Sequence, residues 1–353
     1  MGWDDLKYLL AYVGPASAYF SVAAGGTWSY SSVVLAFVII PVVELFVGSK
    51  GGNTSAELVP LRSRQIFFDL LLYLNVPIIY GLVYFYLSTV TSQPLHSLEL
   101  LGMTLSVGIF VGATGINVAH ELGHRRNRWE RLLSIVLLVP AFYQHFYVEH
   151  NRGHHRYVCT PGDPATARYG ESLYRFWWRS TIGSYLSAWN IEKKLLAKQN
   201  HPVWSMRNQM LQFAVIQILY MIVIAFLFRV NGLLLAISIG VIGFLQLESI
   251  NYIEHYGLIR SKRPDGGYEK VGMQHSWNSN HDLGRIFLYE LTRHADHHYK
   301  ASKKYQVLNH VDESPQLPTG YPGSILLALF PFLWFKVINK RIPADMLPID
   351  GGG

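Results

Sequence analysis

Charged residues and cysteines are both scarce in this 353-residue sequence. Asp, Glu, Lys and Arg together make up 15% of the chain, whereas a typical soluble domain carries about 25%. The single cysteine, Cys159, excludes an internal disulfide, a cysteine-ligated zinc module and a four-cysteine iron site. The first residues lack the basic segment and the small-residue cleavage motif of a signal peptide, so no cleaved signal is expected.

Long apolar runs are abundant instead, since 50% of the residues are hydrophobic and the mean hydropathy is +0.18. This excludes intrinsic disorder. A helix that crosses a bilayer needs about 20 apolar residues. Six runs approach that length and are apolar on all faces: residues 8–24, 29–48, 66–88, 98–118, 211–230 and 232–254. The sequence therefore predicts an all-α integral membrane protein with six transmembrane helices in one domain, residues 1–353.

Two shorter apolar stretches are predicted not to cross the membrane. Residues 132–148 run directly into His150 and are expected to form a buried or re-entrant helix. Residues 325–338 are interrupted by Pro331 and are expected to form a helix at the membrane interface.

The basic residues indicate which side of the membrane each loop occupies. Of the 30 Lys and Arg residues, only Arg229 falls on the side of loops 25–28, 89–97 and 229–232. The other 29 lie in residues 1–7, 49–65, 119–210 and 255–353. Because basic loops stay on the cytoplasmic side, we expect both termini in the cytoplasm. Segments 119–210 and 255–353 would then form a cytoplasmic helical cap.

The formal net charge is +7. Its simplest interpretation is that the basic residues set the topology and contact anionic lipid headgroups. Docking of an acidic protein on the same face is the alternative interpretation. Nothing in the sequence resembles a nucleic-acid-binding module, so no nucleic-acid partner is expected.

Most of the 15 histidines cluster in four groups on the predicted cytoplasmic side. The groups are His120-Glu121-Leu122-Gly123-His124, Glu149-His150-Asn151-Arg152-Gly153-His154-His155, Asn251-Tyr252-Ile253-Glu254-His255-Tyr256-Gly257 and His294-Ala295-Asp296-His297-His298. Residues three or four apart share one face of a helix. We therefore expect the imidazoles within each segment to point toward a common point. This applies to the pairs His120/His124 and His150/His154 and to the set His294/His297/His298. Asn251 and His255 have the same spacing.

Nine histidines in this spacing predict a metal site, because so many neutral imidazoles rarely gather without a cation. Imidazole suits zinc, copper, iron and nickel, so the ligand type does not name the metal. A catalytic zinc normally takes three protein ligands, whereas nine are enough for two metals with four or five nitrogens each. The candidate ligands are His120, His124, His150, His154, His155, His255, His294, His297 and His298.

An acidic residue lies beside a candidate ligand in every group: Glu121, Glu149, Glu254 and Asp296. We expect these carboxylates to accept the second N–H of a ligating histidine, which fixes its orientation. Direct bridging of the metals and simple solvation of helix ends are the alternatives.

Two other functions, a protease and a metal transporter, could also explain a histidine-rich metal site in a membrane protein. The H-E-x-x-H pattern of His120 to His124 also occurs in zinc metalloproteases, but a protease would leave seven histidines unexplained. A metal transporter would need polar residues along a path through the spans. The acids predicted to face the interior, Asp69 and Glu248, are few, and the histidines gather at one membrane surface. A fixed site is favoured over a transport path.

The groups H-E-L-G-H, E-H-N-R-G-H-H, N-Y-I-E-H-Y-G and H-A-D-H-H, in this order, resemble those of the membrane-bound alkane 1-monooxygenases. This family belongs to the histidine-rich di-iron superfamily that also contains acyl desaturases. The resemblance covers almost the whole chain, and the segment around His255 is what favours the alkane hydroxylases. It also includes the segments P-G-D-P-A-T at 161–166, S-W-N-S-N-H at 276–281 and L-P-T-G-Y-P at 317–322.

The resemblance implies that the nine histidines hold two iron ions. It implies that Asn251 acts on the metal directly or through a hydrogen bond, and it places His281 near the site without defining its role. Thr292 and Ala295 depart from the family's usual L-Q-R-H-S-D-H-H, and neither change removes a ligand. Glu248 stands where an uncharged residue is expected.

The implied reaction hydroxylates the terminal methyl group of medium-chain n-alkanes, using O2, in the bacterial inner membrane. An alkane has no polar group, so binding must come from apolar burial. The candidate channel residues are Phe37, Ile40, Pro41, Ile109, Phe110, Leu133 and Phe142. Ordinary helix packing or lipid contact is the alternative role for these residues.

The family receives its electrons from rubredoxin, an acidic protein, which a flavin-dependent reductase reduces with NAD(P)H. Docking of rubredoxin is expected on the arginines beside the ligands: Arg125, Arg126, Arg128, Arg131, Arg152 and Arg156. The competing function within the superfamily is an acyl-lipid desaturase or a hydroxylase of another apolar substrate.

Overall fold

The structure is a computed structural model that describes residues 2–49 and 52–347. Met1, Lys50, Gly51 and residues 348–353 of the predicted domain lie outside the described residues. A 3₁₀ segment, Trp3–Tyr12, leads into the first α-helix. The helices are α1 Val13–Ala24, α2 Gly26–Val47, α3 Val59–Ser92, α4 Ser97–Gly123, α5 Arg128–Leu138, α6 His145–Glu149, α7 Leu173–Lys198, α8 Gln209–His255, α9 Asp282–Phe287, α10 His294–Tyr299, α11 Tyr321–Ala328 and α12 Pro331–Ile338.

The described residues contain no β-strand, only two isolated bridges, so the predicted all-α class is confirmed. Among these residues, four helices are long and apolar enough to cross a membrane: α2, α3, α4 and α8. The protein is an integral membrane protein. Helix α1, which holds most of the predicted span 8–24, is not one of the four. The count of six spans therefore stays a prediction.

Helix α8 is 47 residues long, which exceeds what one span requires. It contains a break at Arg229, whose φ of 58° and ψ of −171° are not helical. The two predicted spans 211–230 and 232–254 meet close to this residue.

Glycines let α4 and α8 approach each other closely near the middle of the protein. A Cβ atom on Gly112 would lie 2.6 Å from the carbonyl oxygen of Gly243, and one on Gly108 would lie 2.7 Å from the side chain of Ile242. Small residues at such crossings allow the helix backbones to touch. The two helices then carry His120 and His255, at or near their ends, to the same region.

The two short apolar stretches form helices that end before they could span a membrane. Residues 132–148 form most of α5 and then α6, and Ser134 on α5 donates a 2.6 Å hydrogen bond to the carbonyl oxygen of Ala119 on α4. Residues 325–338 form the end of α11 and then α12, which begins at Pro331. Phe330 and Phe332 at that break are exposed, and the interfacial position of this segment stays a prediction.

Candidate metal centre

The first group of histidines contains five members: His120, His124, His150, His155 and His297. Within the group, the atoms that could bind a metal all lie within 4.8 Å of one another. The Nε2 atoms of His124, His150 and His155 form a triangle, with sides of 3.1 Å for His124 to His150, 3.2 Å for His124 to His155 and 3.0 Å for His150 to His155. We call this set the five-histidine group.

The second group contains four members, His154, His255, His294 and His298, and all four are buried. Their possible ligand atoms also lie within 4.8 Å of one another. The Nε2 atoms of His294 and His298 are 2.9 Å apart, and the ring of His154 lies 4.8 Å from that of His255, centre to centre. We call this set the four-histidine group.

The grouping corrects the expectation from helical spacing for two of the segments. His150 and His154 do not share a point, because the chain from His150 to His154 forms a π-helical turn. A π turn is wider than an α turn and brings residues five apart onto one face, so His150 meets His155 and His154 faces the other group. His297 likewise joins the five-histidine group, while its expected partners His294 and His298 stay together in the other.

The rings have the chemistry of metal ligands. Burial lowers the pKa of His150, His294, His297 and His298 well below its usual range, and it lowers the pKa of His155 to about 3. These imidazoles are therefore neutral, which is the form that binds metals. Buried Nε2 atoms without a hydrogen-bond partner among the described residues occur on His120, His154, His255 and His297.

The spacing of the nitrogens also fits a shared cation. A metal–imidazole bond of about 2.1 Å places neighbouring ligand nitrogens about 3.0 to 3.4 Å apart. The triangle of His124, His150 and His155 has this size, with sides of 3.0 to 3.2 Å. The geometry of these histidines is that of a candidate metal site.

Three members of the four-histidine group have polar contacts outside it. His154 Nδ1 lies 2.9 Å from Asp163 Oδ2, and His255 Nδ1 lies 3.2 Å from the carbonyl oxygen of His275. Glu254 Oε2 lies 3.2 Å from His294 Nε2. Contacts at Nδ1, as on His154 and His255, orient an imidazole that binds a metal through Nε2. Glu254 instead contacts the His294 nitrogen that also faces His298, so its expected role of accepting the second N–H stays a prediction.

Sequence reasoning assigned no role to two of these partners. Asp163 lies in the P-G-D-P-A-T segment, which resembled the family's, and nothing in its spacing pointed to His154. Thr166 supports it by donating a 2.5 Å hydrogen bond to Asp163 Oδ2. The contact of His275 uses its backbone carbonyl, which no side-chain pattern reveals.

The other flanking acids have different partners from the expected imidazoles. Glu121 Oε1 pairs with Arg125 at 2.9 Å, and Asp296 pairs with Lys303 at 2.7 Å. Glu149 Oε1 accepts a long 3.5 Å hydrogen bond from Ser187. None of these three contacts involves one of the nine histidines, so the expected role of Glu121, Glu149 and Asp296 stays a prediction.

Asn251 and His281 also have polar contacts that do not involve the nine histidines. Asn251 Nδ2 lies 3.4 Å from Glu248 Oε1, which accepts a second hydrogen bond from the Tyr143 hydroxyl at 2.8 Å. His281 Nδ1 lies 2.9 Å from the hydroxyl of Ser279. Glu248 therefore has a structural partner on each side, which the sequence did not indicate.

Comparison with known proteins shows the family to which this metal centre belongs. The sequence model of the fatty acid desaturase family matches residues 96–324, which include all nine histidines. Alkane 1-monooxygenase 1 of Alcanivorax borkumensis is 39% identical over 97% of this chain and 86% of its own length. The alkane 1-monooxygenase of Ectopseudomonas oleovorans is 38% identical over 95% of this chain and 85% of its own length.

The chain belongs to the alkane 1-monooxygenase family. The resemblance inferred from the histidine groups is thereby confirmed. A more distant relative is the xylene/toluene monooxygenase hydroxylase component XylM of Pseudomonas putida, at 28% identity over 96% of this chain and 88% of that protein.

An apolar cavity lies between the helices of this alkane 1-monooxygenase family member. Four of the seven candidate channel residues line it: Phe37, Ile40, Ile109 and Phe110. Two π turns, at Leu35–Ile39 and Val111–Ile116, contribute to the same walls. Pro41, Leu133 and Phe142 are not among the lining residues. Leu133 packs against the core, and the ring of Phe142 lies 5.8 Å from that of Tyr220, which matches the alternative of ordinary packing.

The arginines proposed for partner docking divide into buried and exposed side chains. The prediction that Arg125 takes part in docking was wrong. This side chain is only 7% exposed, and it pairs with Glu121 and, at 3.1 Å, with Asp69. Arg131 is half-buried and donates to the carbonyl oxygens of Arg125 and Arg126. The remaining candidates are exposed: Arg126, Arg128, Arg152 and Arg156.

Arg152 and Arg156 line an open cleft on the surface of this family member. Four more cationic side chains line it: Arg168, Arg179, Lys194 and Lys198. Asp163, the partner of His154, lies at the wall of the same cleft.

Proposed function

We propose that this protein is a membrane-bound monooxygenase that hydroxylates the terminal methyl group of medium-chain n-alkanes. The reaction consumes O2, two electrons and two protons, and it yields a primary alcohol and water. The observation that carries the proposal is the presence of two histidine groups, one fully and one largely buried, together with an apolar cavity. Membership of the alkane 1-monooxygenase family supports the substrate class.

The metal in this proposal is iron, with one ion for each histidine group. The five-histidine group would hold one ion and the four-histidine group the other. Imidazole suits iron, and the family relationship favours it over zinc or copper. The bound irons would supply the O2-derived oxidant that breaks an unactivated C–H bond. The protein's task is to hold the methyl group beside them and to exclude water.

The apolar cavity provides the only kind of binding that an alkane can use. Burial of each CH2 group contributes about 0.8 kcal/mol, so a medium-length chain binds without a polar contact. Phe37 and Ile40 on α2, with Ile109 and Phe110 on α4, would enclose the chain. Asp163, Glu254 and the carbonyl of His275 would keep the imidazoles oriented while the substrate enters and the alcohol leaves.

The proposed topology has six spans, both termini in the cytoplasm and a cytoplasmic helical cap, residues 119–210 and 255–353. The break at Arg229 supports two spans within α8, and the helical segment from Trp3 to Ala24 would form the first. The distribution of basic residues supports the orientation, because Arg229 alone lies on the opposite side. We assign the protein to the bacterial inner membrane.

Electrons would come from rubredoxin, which a flavin-dependent reductase reduces with NAD(P)H. Rubredoxins are acidic, and the cleft lined by Arg152, Arg156, Arg168, Arg179, Lys194 and Lys198 is basic. Opposite charges speed the encounter of two proteins. We therefore place docking at this cleft, with the exposed Arg126 and Arg128 as further candidates.

Product analysis by gas chromatography–mass spectrometry tests the function. Detergent-solubilised, iron-loaded protein would receive C8–C16 alkanes, rubredoxin, its reductase, NADH and ¹⁸O-labelled oxygen gas. We expect labelled 1-alcohols, and their relative yields give the preferred chain length. Protein that holds two irons but forms no alcohol would contradict the proposal.

A hydroxylase of another apolar substrate is the second candidate, favoured by the 28% identity to the xylene/toluene monooxygenase component. The match of the fatty acid desaturase family to residues 96–324 makes an acyl-lipid desaturase a further candidate. Xylene and acyl lipids in parallel reactions would distinguish these possibilities through methyl-hydroxylated aromatics or new double bonds.

A further inference from the structure

Tyr321 is the residue through which the apolar cavity meets the metal centre. It begins α11, is 1% exposed, and lines the cavity together with Pro322 and Ile325 of the same helix. Its hydroxyl donates a 2.6 Å hydrogen bond to Glu254 Oε1. One side chain therefore lines the cavity and also donates its hydroxyl to a carboxylate beside the four-histidine group.

Glu254 continues the connection to the four-histidine group. Its second oxygen, Oε2, lies 3.2 Å from His294 Nε2, and that nitrogen lies 2.9 Å from His298 Nε2. Glu254 is 1% exposed, and Tyr321 supplies the hydrogen bond to its carboxylate. Loss of that hydroxyl would leave the carboxylate free to shift relative to His294.

Helix α8 places the cavity and the site one turn apart. Ile250 lines the cavity, and Glu254 follows it by four residues, so both lie on the same face of the helix. Tyr321 lines the cavity together with Ile250, and its hydroxyl donates a hydrogen bond to Glu254, the residue one turn further along α8.

The backbone next to Tyr321 is held in place, so a ligand in the cavity acts on the ring. A Cβ atom on Gly320 would lie within 2.0 Å of Glu44 Oε2, which shows how tightly this backbone packs against α2. The other carboxylate oxygen of Glu44 accepts a 2.9 Å hydrogen bond from the backbone N–H of Gly284 on α9. The start of α11 thus packs against Glu44 of α2, and the same carboxylate is bonded to α9.

We propose that Tyr321 is a positioning residue that reports the presence of an alkane in the cavity to the four-histidine group through Glu254. The inference rests on the proposed function, since it assigns the cavity to the alkane. It implies that the metal environment differs between empty and filled cavity, so that O2 is reduced productively only when substrate is present. Without that link, two electrons and two protons would convert O2 to hydrogen peroxide instead of being used for hydroxylation.

The test compares wild-type protein with Tyr321→Phe, which keeps the ring and removes the hydroxyl. Both would be loaded with ⁵⁷Fe and studied by Mössbauer spectroscopy with and without n-decane. We expect n-decane to change the signal of one iron in the wild type and to leave the Tyr321→Phe spectrum unchanged. The ratio of 1-decanol formed to NADH oxidised should fall at least about threefold in the variant, with hydrogen peroxide accounting for the difference.

Tyr252→Phe is the matched control. Tyr252 is also fully buried, and its hydroxyl donates a 2.7 Å hydrogen bond to the carbonyl oxygen of Glu171, away from the cavity lining and the histidines. It should behave as the wild type in both measurements. If Tyr321→Phe does not retain iron, Glu254→Gln carries the same comparison, because it keeps the shape of the carboxylate and removes its charge.

Two results would overturn the coupling: a wild-type spectrum that n-decane does not change, or a Tyr321→Phe protein with the wild-type response and the wild-type ratio of alcohol to NADH. Failure of the proposed function is a separate outcome, seen as a wild-type protein with two irons that forms no 1-decanol.

Discussion

The two histidine groups lie side by side and are held in different ways. Every member of the four-histidine group is buried, and three of its rings have partners outside the group, namely Asp163, the carbonyl of His275 and Glu254. In the five-histidine group His124 and His155 are only half-buried, and both contact other histidines. The surrounding protein therefore fixes the geometry of one group, whereas a bound metal would have to fix more of the other.

The largest expected difference follows from removing a ligand from each group. His255→Ala leaves three imidazoles in the smaller group, so we expect loss of one iron and a fall in hydroxylation of more than about 100-fold. His124→Ala leaves four imidazoles and should retain more iron. Iron content per chain and alcohol yield measure both effects. Full activity of His255→Ala would remove that residue from the ligand set.

Removing a residue that contacts a histidine from outside its group should weaken iron binding less than removing a histidine does. Asp163→Asn takes away the charge next to His154 Nδ1 and should weaken iron binding by about 10- to 100-fold, because such partners hold the ring in its binding orientation. Competition with a chelator measures the affinity. Asp265→Asn, at an exposed ion pair with Arg263, is the control. Equal affinities for the two variants would contradict the assigned role of Asp163.

Iron release tests the comparison without mutation. Because His124 and His155 are partly accessible, a chelator in excess should remove iron from the five-histidine group first. We expect two phases in a stopped-flow or dialysis experiment, separated by about tenfold in rate. Release of both irons in one phase would mean that the two groups open together.

The smallest effect is expected at the surface cleft. Arg156→Ala should raise the KM for rubredoxin a few-fold at low ionic strength, and the difference should shrink as salt screens the charges. Arg263→Ala, which does not line the cleft, serves as the control. Turnover with rubredoxin that does not depend on ionic strength would contradict electrostatic docking.

Some of these features could be predicted from the sequence because they depend on local pattern. Apolar runs are a property of consecutive residues, so helices α2, α3 and α4 were found with bounds within a few residues, except at the start of α3. Most of the histidines were found as a set because three of the four segments carry two or more of them in helical spacing.

The division of the histidines between two groups could not be predicted in this way. It depends on the π turn at His150–His154, and a π turn inserts one extra residue without a distinctive sequence. The partners Asp163 and Tyr321 are 9 and 67 residues from the side chains that they contact, so only the fold brings them together. Arg125 was predicted to be exposed, because the sequence gives no sign that the fold pairs it with Asp69 on another helix.

Adjacent residues are divided between the two groups at two places. His154 and His155 belong to different groups, and so do His297 and His298. Two metals bound here would be joined through two covalent paths, each of which runs through two imidazole side chains and crosses a single peptide bond. Because the peptide bond is planar and trans, the Cα atoms of each pair stay about 3.8 Å apart, and only rotation of the side chains can change the distance between the two imidazoles. Electrons that reached one metal would have a direct bonded route to the other.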